Sequence, residues 1–159
     1  MSTTVVYYSL NGNSAFIAER ASALTGAAIV HLEPENDIPK KGFARFLKGG
    51  SAAIRQNDVQ LKPYEFDDSS DIIILCCPVW ASTCPPAVSK FLKQHSLVGK
   101  KVYLLASSMS GKTEGITEKL RMLTGDDAIV AVQGFTNPLK SPEETEAILT
   151  MFLRGQGLI

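Results

Sequence analysis

A run of six apolar residues, Ile72-Ile73-Ile74-Leu75-Cys76-Cys77, constrains the fold more than any other stretch of the chain. It has no period-two alternation, so a strand built from it must be covered on both faces, which is the condition of a central strand in a parallel sheet. Other β-branched runs flank it, and segments of helical period separate them. Alternation of that kind specifies an α/β sheet with crossover helices. The strands are expected at Thr3 to Tyr8, Ala28 to Leu32, Ile72 to Cys77, Lys101 to Ala106 and Ala128 to Gln133.

The helices follow from spacing and from stop signals. Phe16, Ile17, Ala21 and Leu24 share a face within Ser14 to Leu24, and Gly26 ends it. Pro85-Pro86 suit the first turn of a second helix carrying Val88, Phe91 and Leu92. Thr113 to Leu123 and Pro142 to Leu153 supply two more, the last with Ser141 as its N-cap. The connection from Glu33 to Ser70 is long; Phe43, Ala44, Phe46 and Leu47 predict a helix there, interrupted at Gly49-Gly50. At 159 residues, with no linker and no repeat, a single domain over 1–159 is expected.

Composition removes several function classes. Sixteen Lys+Arg balance sixteen Asp+Glu, and the only basic clusters are the pairs Lys40-Lys41 and Lys100-Lys101, so no stripe exists to neutralise a nucleic-acid backbone. No apolar stretch approaches the ~18 to 20 residues of a spanning helix, and Met1 to Thr4 lack the basic start of a signal peptide. A cytoplasmic protein without a membrane partner is expected. Three cysteines, two of them adjacent, and two distant histidines form neither a disulfide framework nor a zinc site. No metal is expected.

Ligands of an open parallel sheet bind beyond the carboxyl ends of its strands, so the loops after the first, third and fourth strands matter most. The first is Ser9-Leu10-Asn11-Gly12-Asn13-Ser14, directly before a helix. Hydroxyl and amide side chains, a glycine and helix-opening N–H groups make an anion cradle, or equally a polar turn that caps the helix. The loop carries no lysine or arginine, so a phosphate there would be held by N–H dipoles. That suits a monophosphate rather than a triphosphate with Mg²⁺. The second loop, running from Cys77 through Pro78-Val79-Trp80-Ala81-Ser82 to Pro86, holds the chain's one tryptophan. Between prolines on a surface loop that ring has no evident core to enter, and stacking on a planar ligand would account for it, as would ordinary loop packing.

The third loop, Ser107-Ser108-Met109-Ser110-Gly111 before Lys112-Thr113, nearly spells a nucleotide P-loop, with Ala106 in place of the first glycine. It sits on the fourth strand, however, and no later strand ends in an acidic residue able to hold Mg²⁺. As a small, polar loop it is better suited to line the far side of a flat ring. Phosphatase or arsenate-reductase chemistry needs a Cys-x₅-Arg loop after the first strand; no cysteine lies there, and the sixth residue after Cys76, Cys77 or Cys84 is Ser82, Thr83 or Lys90.

Tyr7-Tyr8-Ser9-Leu10-Asn11-Gly12-Asn13-Ser14, then Pro78-Val79-Trp80 with Pro85-Pro86 before a helix, then a Ser/Gly loop after the fourth strand, resembles the flavodoxin family in order over essentially the whole chain. The resemblance implies a flavodoxin-like three-layer sandwich, with a five-stranded parallel sheet in order 2-1-3-4-5, helices on both faces, and FMN as cofactor. It assigns Ser9 to Ser14 to the phosphate, with Asn11 where the family usually has threonine; an amide still donates. It assigns Pro78, Val79, Trp80, Ala81 and Ser82, together with Ser107, Ser108, Met109, Ser110 and Gly111, to the isoalloxazine. No side chain need act as acid or base.

Where family carriers often place Gly or Asn after the loop's aromatic, this chain has Ala81, which is expected to resist a positive φ and so weaken a one-electron role. With no aromatic in the third loop, Met109 is the candidate for the second ring face. The chain is also neutral where family carriers are acidic, so steering to a basic reductase is not evident. Three functions follow from the resemblance: an electron carrier between a separate reductase and an acceptor protein, a two-electron reductase of a quinone-like small molecule, or an apo scaffold for binding or regulation.

Overall fold

The structure, a computed structural model, describes residues 1–36 and 59–159. In chain order the elements are β1 (Thr3–Tyr7), α1 (Asn13–Thr25), β2 (Ala28–His31), β3 (Ile72–Pro78), α2 (Pro86–Gln94), β4 (Lys101–Ser108), α3 (Glu114–Thr124), β5 (Ile129–Thr136), a 3₁₀ turn (Pro138–Lys140) and α4 (Pro142–Gly155). The helix expected around Phe43 to Leu47 lies outside the described residues.

All strand pairs are parallel, and their order is β2-β1-β3-β4-β5. The apolar run of β3 behaves as its composition requires. Ile73, Leu75 and Cys77 face a core shared with Val88 and Phe91 of α2 and Ile116 and Leu120 of α3. Ile74 and Cys76 face the opposite core, with Ile17 and Ala21 of α1 and Leu149 and Leu153 of α4. Helices therefore cover both faces, and every residue from Ile72 to Cys77 is buried.

Strand ends depart from the sequence expectation in a consistent way. β4 continues to Ser108 and β5 to Thr136 because Ser107 pairs with Phe135 and Ser108 with Thr136, so the ladder carries polar residues past the apolar run. β1 stops at Tyr7, although the Tyr8 N–H still donates to Cys76 O at 3.1 Å. Gly26 ends α1 in the left-handed conformation, with φ 71° and its N–H on Ser22 O, as its position after Leu24 predicts. Ser141 does occupy the N-cap position of α4, but its side chain makes no capping bond; Pro142, which has no N–H, stands at the first helical position instead.

Beyond the sheet, His95 at the end of α2 lies 2.8 Å from Tyr64 Oη through Nε2 and 2.9 Å from Asp68 Oδ1 through Nδ1. It is a satisfied histidine, and it ties the approach to β3 onto α2. Among the described residues no helix is long and apolar enough to cross a membrane.

Candidate cofactor site

Strand order 2-1-3-4-5 reverses the direction of winding between β1 and β3, so the carboxyl ends of β1, β3 and β4 lie side by side. The loops that follow them converge on one cavity of about 400 Å³. Its walls come from Leu10, Asn11 and Asn13 of the first loop, Pro78, Val79 and Trp80 of the second, and Ser107, Ser108 and Met109 of the third. Those three segments are the ones singled out in the sequence. Asn137 and Lys140, which the sequence reading did not select, complete the lining. They sit at the carboxyl end of β5, where the same strand-end rule would have found them had it been applied to the fifth strand.

The first loop is shaped as an anion cradle. Gly12 takes φ 93°, which favours glycine, and a β-carbon added there would sit 3.2 Å from Leu139 Cδ1. Helical bonding in α1 starts with Phe16 N–H donating to Gly12 O, so the amides of Ser14 and Ala15 have no acceptor within the helix. Ser9 Oγ accepts the Gly12 N–H at 3.1 Å and Asn11 Oδ1 accepts the Asn13 N–H at 3.2 Å. Two side-chain oxygens thus already satisfy main-chain donors of this loop. Ser14 is placed differently from the expectation of a direct ligand: it is 1% exposed, and its hydroxyl lies 2.8 Å from Ser107 Oγ.

Of the two placements open to Trp80, packing against the protein is the one observed, and the residue also lines the cavity. Its ring is 4% exposed and joins the core on the α2/α3 side, edge-on to Tyr8 with centroids 5.4 Å apart. The reason is a tight reversal. Trp80 and Thr83 exchange both main-chain hydrogen bonds, at 2.8 and 2.9 Å, closing a two-residue turn that swings the indole inward. Trp80 forms part of the cavity wall, while Ala81 and Ser82 at the tip are exposed and outside the lining.

A two-residue turn of type I′ has positive φ at both central residues. Ala81 has φ 48° and Ser82 φ 59°, so the turn holds Ala81 in a region that costs a non-glycine residue energy. α3 packs directly on the turn: a β-carbon on Gly115 would lie 2.7 Å from both Ser82 Cβ and Ser82 O.

In the third loop, Ser108 Oγ accepts the Gly111 N–H at 2.7 Å, and Ser108 O accepts the Asn137 N–H at 3.1 Å. Ser110 and Gly111 thereby turn back toward β5 and stay out of the lining, while Met109 projects at the mouth, 81% exposed.

The chemistry available is restricted. Cys76, Cys77 and Cys84 are buried, and burial pushes each thiol pKa up, so none offers a thiolate near neutral pH. Among the described residues no cluster of His, Cys, Asp or Glu could hold a metal ion. Among the described lining residues there is no acidic side chain, and Lys140 is the one charged group. The cavity therefore joins a donor-rich end at the first loop to apolar walls of Leu10, Pro78, Val79 and Trp80, an arrangement that fits a flat ring system carrying a phosphate ester.

Comparison with known proteins agrees with this geometry. The flavodoxin family model matches residues 2–137. Among solved structures, a candidate flavoprotein from Bacteroides eggerthii superposes with a TM-score of 0.77 at 20% identity, covering 96% of each chain. A flavoprotein from Lactobacillus acidophilus, solved in complex with FMN, gives 0.67 at 15% identity over 89% of this chain and 97% of the other. Oxidised flavodoxin 2 from Bacillus cereus gives 0.58 at 16%, over 96% and 94%. No curated protein matches the sequence.

Proposed function

The chain belongs to the flavodoxin family, whose cofactor is FMN, and from that premise we propose that it is an FMN-dependent redox protein carrying electrons between a separate reductase and an acceptor. The observation that carries this reading is the convergence of the three strand-end loops on one cavity, donor-rich at one end and apolar along its walls. FMN supplies the electron-accepting and electron-donating chemistry, and the protein supplies position and environment. Amides at the start of α1 and the side chains of Asn11 and Asn13 would hold the phosphate. Pro78, Val79 and Trp80 would wall the ring on one side and Ser107 to Met109 on the other. Apolar walls exclude water and disfavour added negative charge on the ring, which lowers its potential.

Ala81 bears on the choice between one- and two-electron use. Alanine lacks glycine's tolerance for positive φ and here already holds φ 48°, so a flip of this turn starts from a strained residue and is less favourable than with glycine. A second reading, two-electron reduction of a quinone-like molecule, draws support from the rim, where Met109 is 81% and Leu139 50% exposed and could seat a planar apolar substrate.

An absorption spectrum of the purified protein, with and without added FMN, tests cofactor binding: a flavin spectrum or saturable quenching of FMN fluorescence is expected, and a colourless protein that leaves added FMN unquenched overturns the proposal. Photoreduction then separates the two uses. Accumulation of a one-electron-reduced flavin is expected for a carrier, whereas direct bleaching to the fully reduced form favours the reductase.

A further inference from the structure

We propose that Lys140 is a phosphate ligand of this site, giving it the cation that the first loop lacks; the inference rests on the FMN reading above. Three observations converge on it. Lys140 lines the same cavity as Asn11 and Asn13, and among the described residues it is the one charged group in that lining. The turn that carries it is fastened to the cradle, because Leu139 N–H donates to Asn13 Oδ1 at 3.0 Å and Leu139 Cδ1 packs against Gly12. The turn is also held from its other side. Asn137, in the left-handed region at φ 42°, donates its N–H to Ser108 O, and its own carbonyl accepts the Lys140 N–H at 2.9 Å.

Nearby carboxylates do not claim the charge. Glu143 and Glu144 open α4 within one turn of Lys140, yet among the described residues the ion pairs are Arg20 with Glu146, Lys62 with Glu33 and His95 with Asp68. Among the described residues, Lys140 is thus a cation without an ion-pair partner, at a cavity whose other lining groups are uncharged. An ammonium on a flexible stem suits a dianionic ester approached from the mouth.

The consequence is specificity for the phosphorylated flavin. Amide dipoles alone would give a phosphate contact that depends weakly on salt, whereas an exposed ammonium adds a screened Coulomb attraction. The test compares dissociation constants of FMN and of riboflavin, read by quenching of flavin fluorescence, for the apoprotein and for Lys140→Gln, Lys140→Arg and Lys112→Gln. Lys112 is an exposed lysine outside the lining and serves as the control.

Lys140→Gln is expected to weaken FMN about 3–10-fold while leaving riboflavin within about twofold. Lys140→Arg should restore FMN binding, Lys112→Gln should change neither ligand, and added KCl should weaken FMN binding to the wild type more than to Lys140→Gln. Equal losses for both flavins, no loss for either, or an equal loss in Lys112→Gln overturns the role of Lys140 while the FMN reading stands. A wild type that binds no FMN overturns that reading first, and this inference with it.

Discussion

Ser14 Oγ and Ser107 Oγ stand 2.8 Å apart in the interior, joining the first turn of α1 to the carboxyl end of β4. Both residues are nearly solvent-free, at 1% and 2% exposure. Their bond sets the spacing of the first and third loops. Ser14→Ala would leave the Ser107 hydroxyl buried without that partner, at a cost of about 1–3 kcal/mol. Removing both hydroxyls removes the orphan as well, so Ser14→Ala/Ser107→Ala should cost less than the sum of the single changes. Urea denaturation of the four proteins checks this. Additive losses would mean the two hydroxyls do not act as a pair.

The turn at Ala81 and Ser82 holds two non-glycine residues at positive φ, each strained by about 1–2 kcal/mol. Ala81→Gly, at an exposed tip, relieves part of that strain against a larger loss of chain entropy. A net gain of about 0.5–1 kcal/mol is expected as a raised urea midpoint with an unchanged slope. Gly115→Ala works in the opposite direction. Alanine favours a helix over glycine by about 1 kcal/mol, but its methyl would meet the Ser82 main chain at 2.7 Å. The clash should win, with a net loss of about 1–3 kcal/mol. A stabilised Gly115→Ala protein would show that the turn can move away from α3.

These two sites also mark the limits of what the sequence discloses. β3, its burial on both faces and the strand-end location of the loops follow from local pattern, because an unbroken apolar run and the parallel-sheet rule each have one geometric solution. The fate of Trp80 does not. Whether an indole faces a cavity or a core depends on a turn closed by main-chain bonds between Trp80 and Thr83, and Ala81-Ser82 is not a residue pair that announces positive φ. Lys140 differs: the strand-end rule reaches it at the end of β5, but its nearness to the first loop depends on the turn folding back so that Leu139 meets Gly12 and Asn13.

His95 offers a test of how the segment before β3 is held. Tyr64 Oη lies within hydrogen-bond distance of both His95 Nε2 and Gln94 Oε1, at 2.8 and 3.0 Å, and the His95 ring packs against Phe66 and Phe91. Tyr64→Phe keeps the aromatic contacts and removes the hydroxyl, so a loss of about 0.5–1.5 kcal/mol is expected. His95→Ala removes the ring too and should cost more, about 1–3 kcal/mol. Because the cluster is on α2 and away from the cavity lining, FMN affinity should change little in either variant. A large loss of affinity would couple this cluster to the site.

The buried thiols are expected to lower stability on the alkaline side. Burial raises the pKa of Cys76, Cys77 and Cys84 in the folded chain; for Cys84 the thiol's contact with Ser89 and a nearby Lys119 partly oppose it. Unfolded, each thiol would release its proton near its ordinary value of about 8.5. The folded state therefore binds more protons above that pH. The contribution is fully present below the unfolded value and is lost as pH rises through the interval between the unfolded and folded values, at up to about 1.4 kcal/mol per pH unit for a thiol that stays protonated in the fold. Urea midpoints measured from pH 7 to pH 10 should hold steady and then fall, and Cys77→Ala should flatten the fall. Native protein at pH 8 should react slowly with a thiol reagent, whereas denatured protein should titrate all three cysteines at once. A fast-reacting thiol in the native state would contradict the burial on which this sign depends.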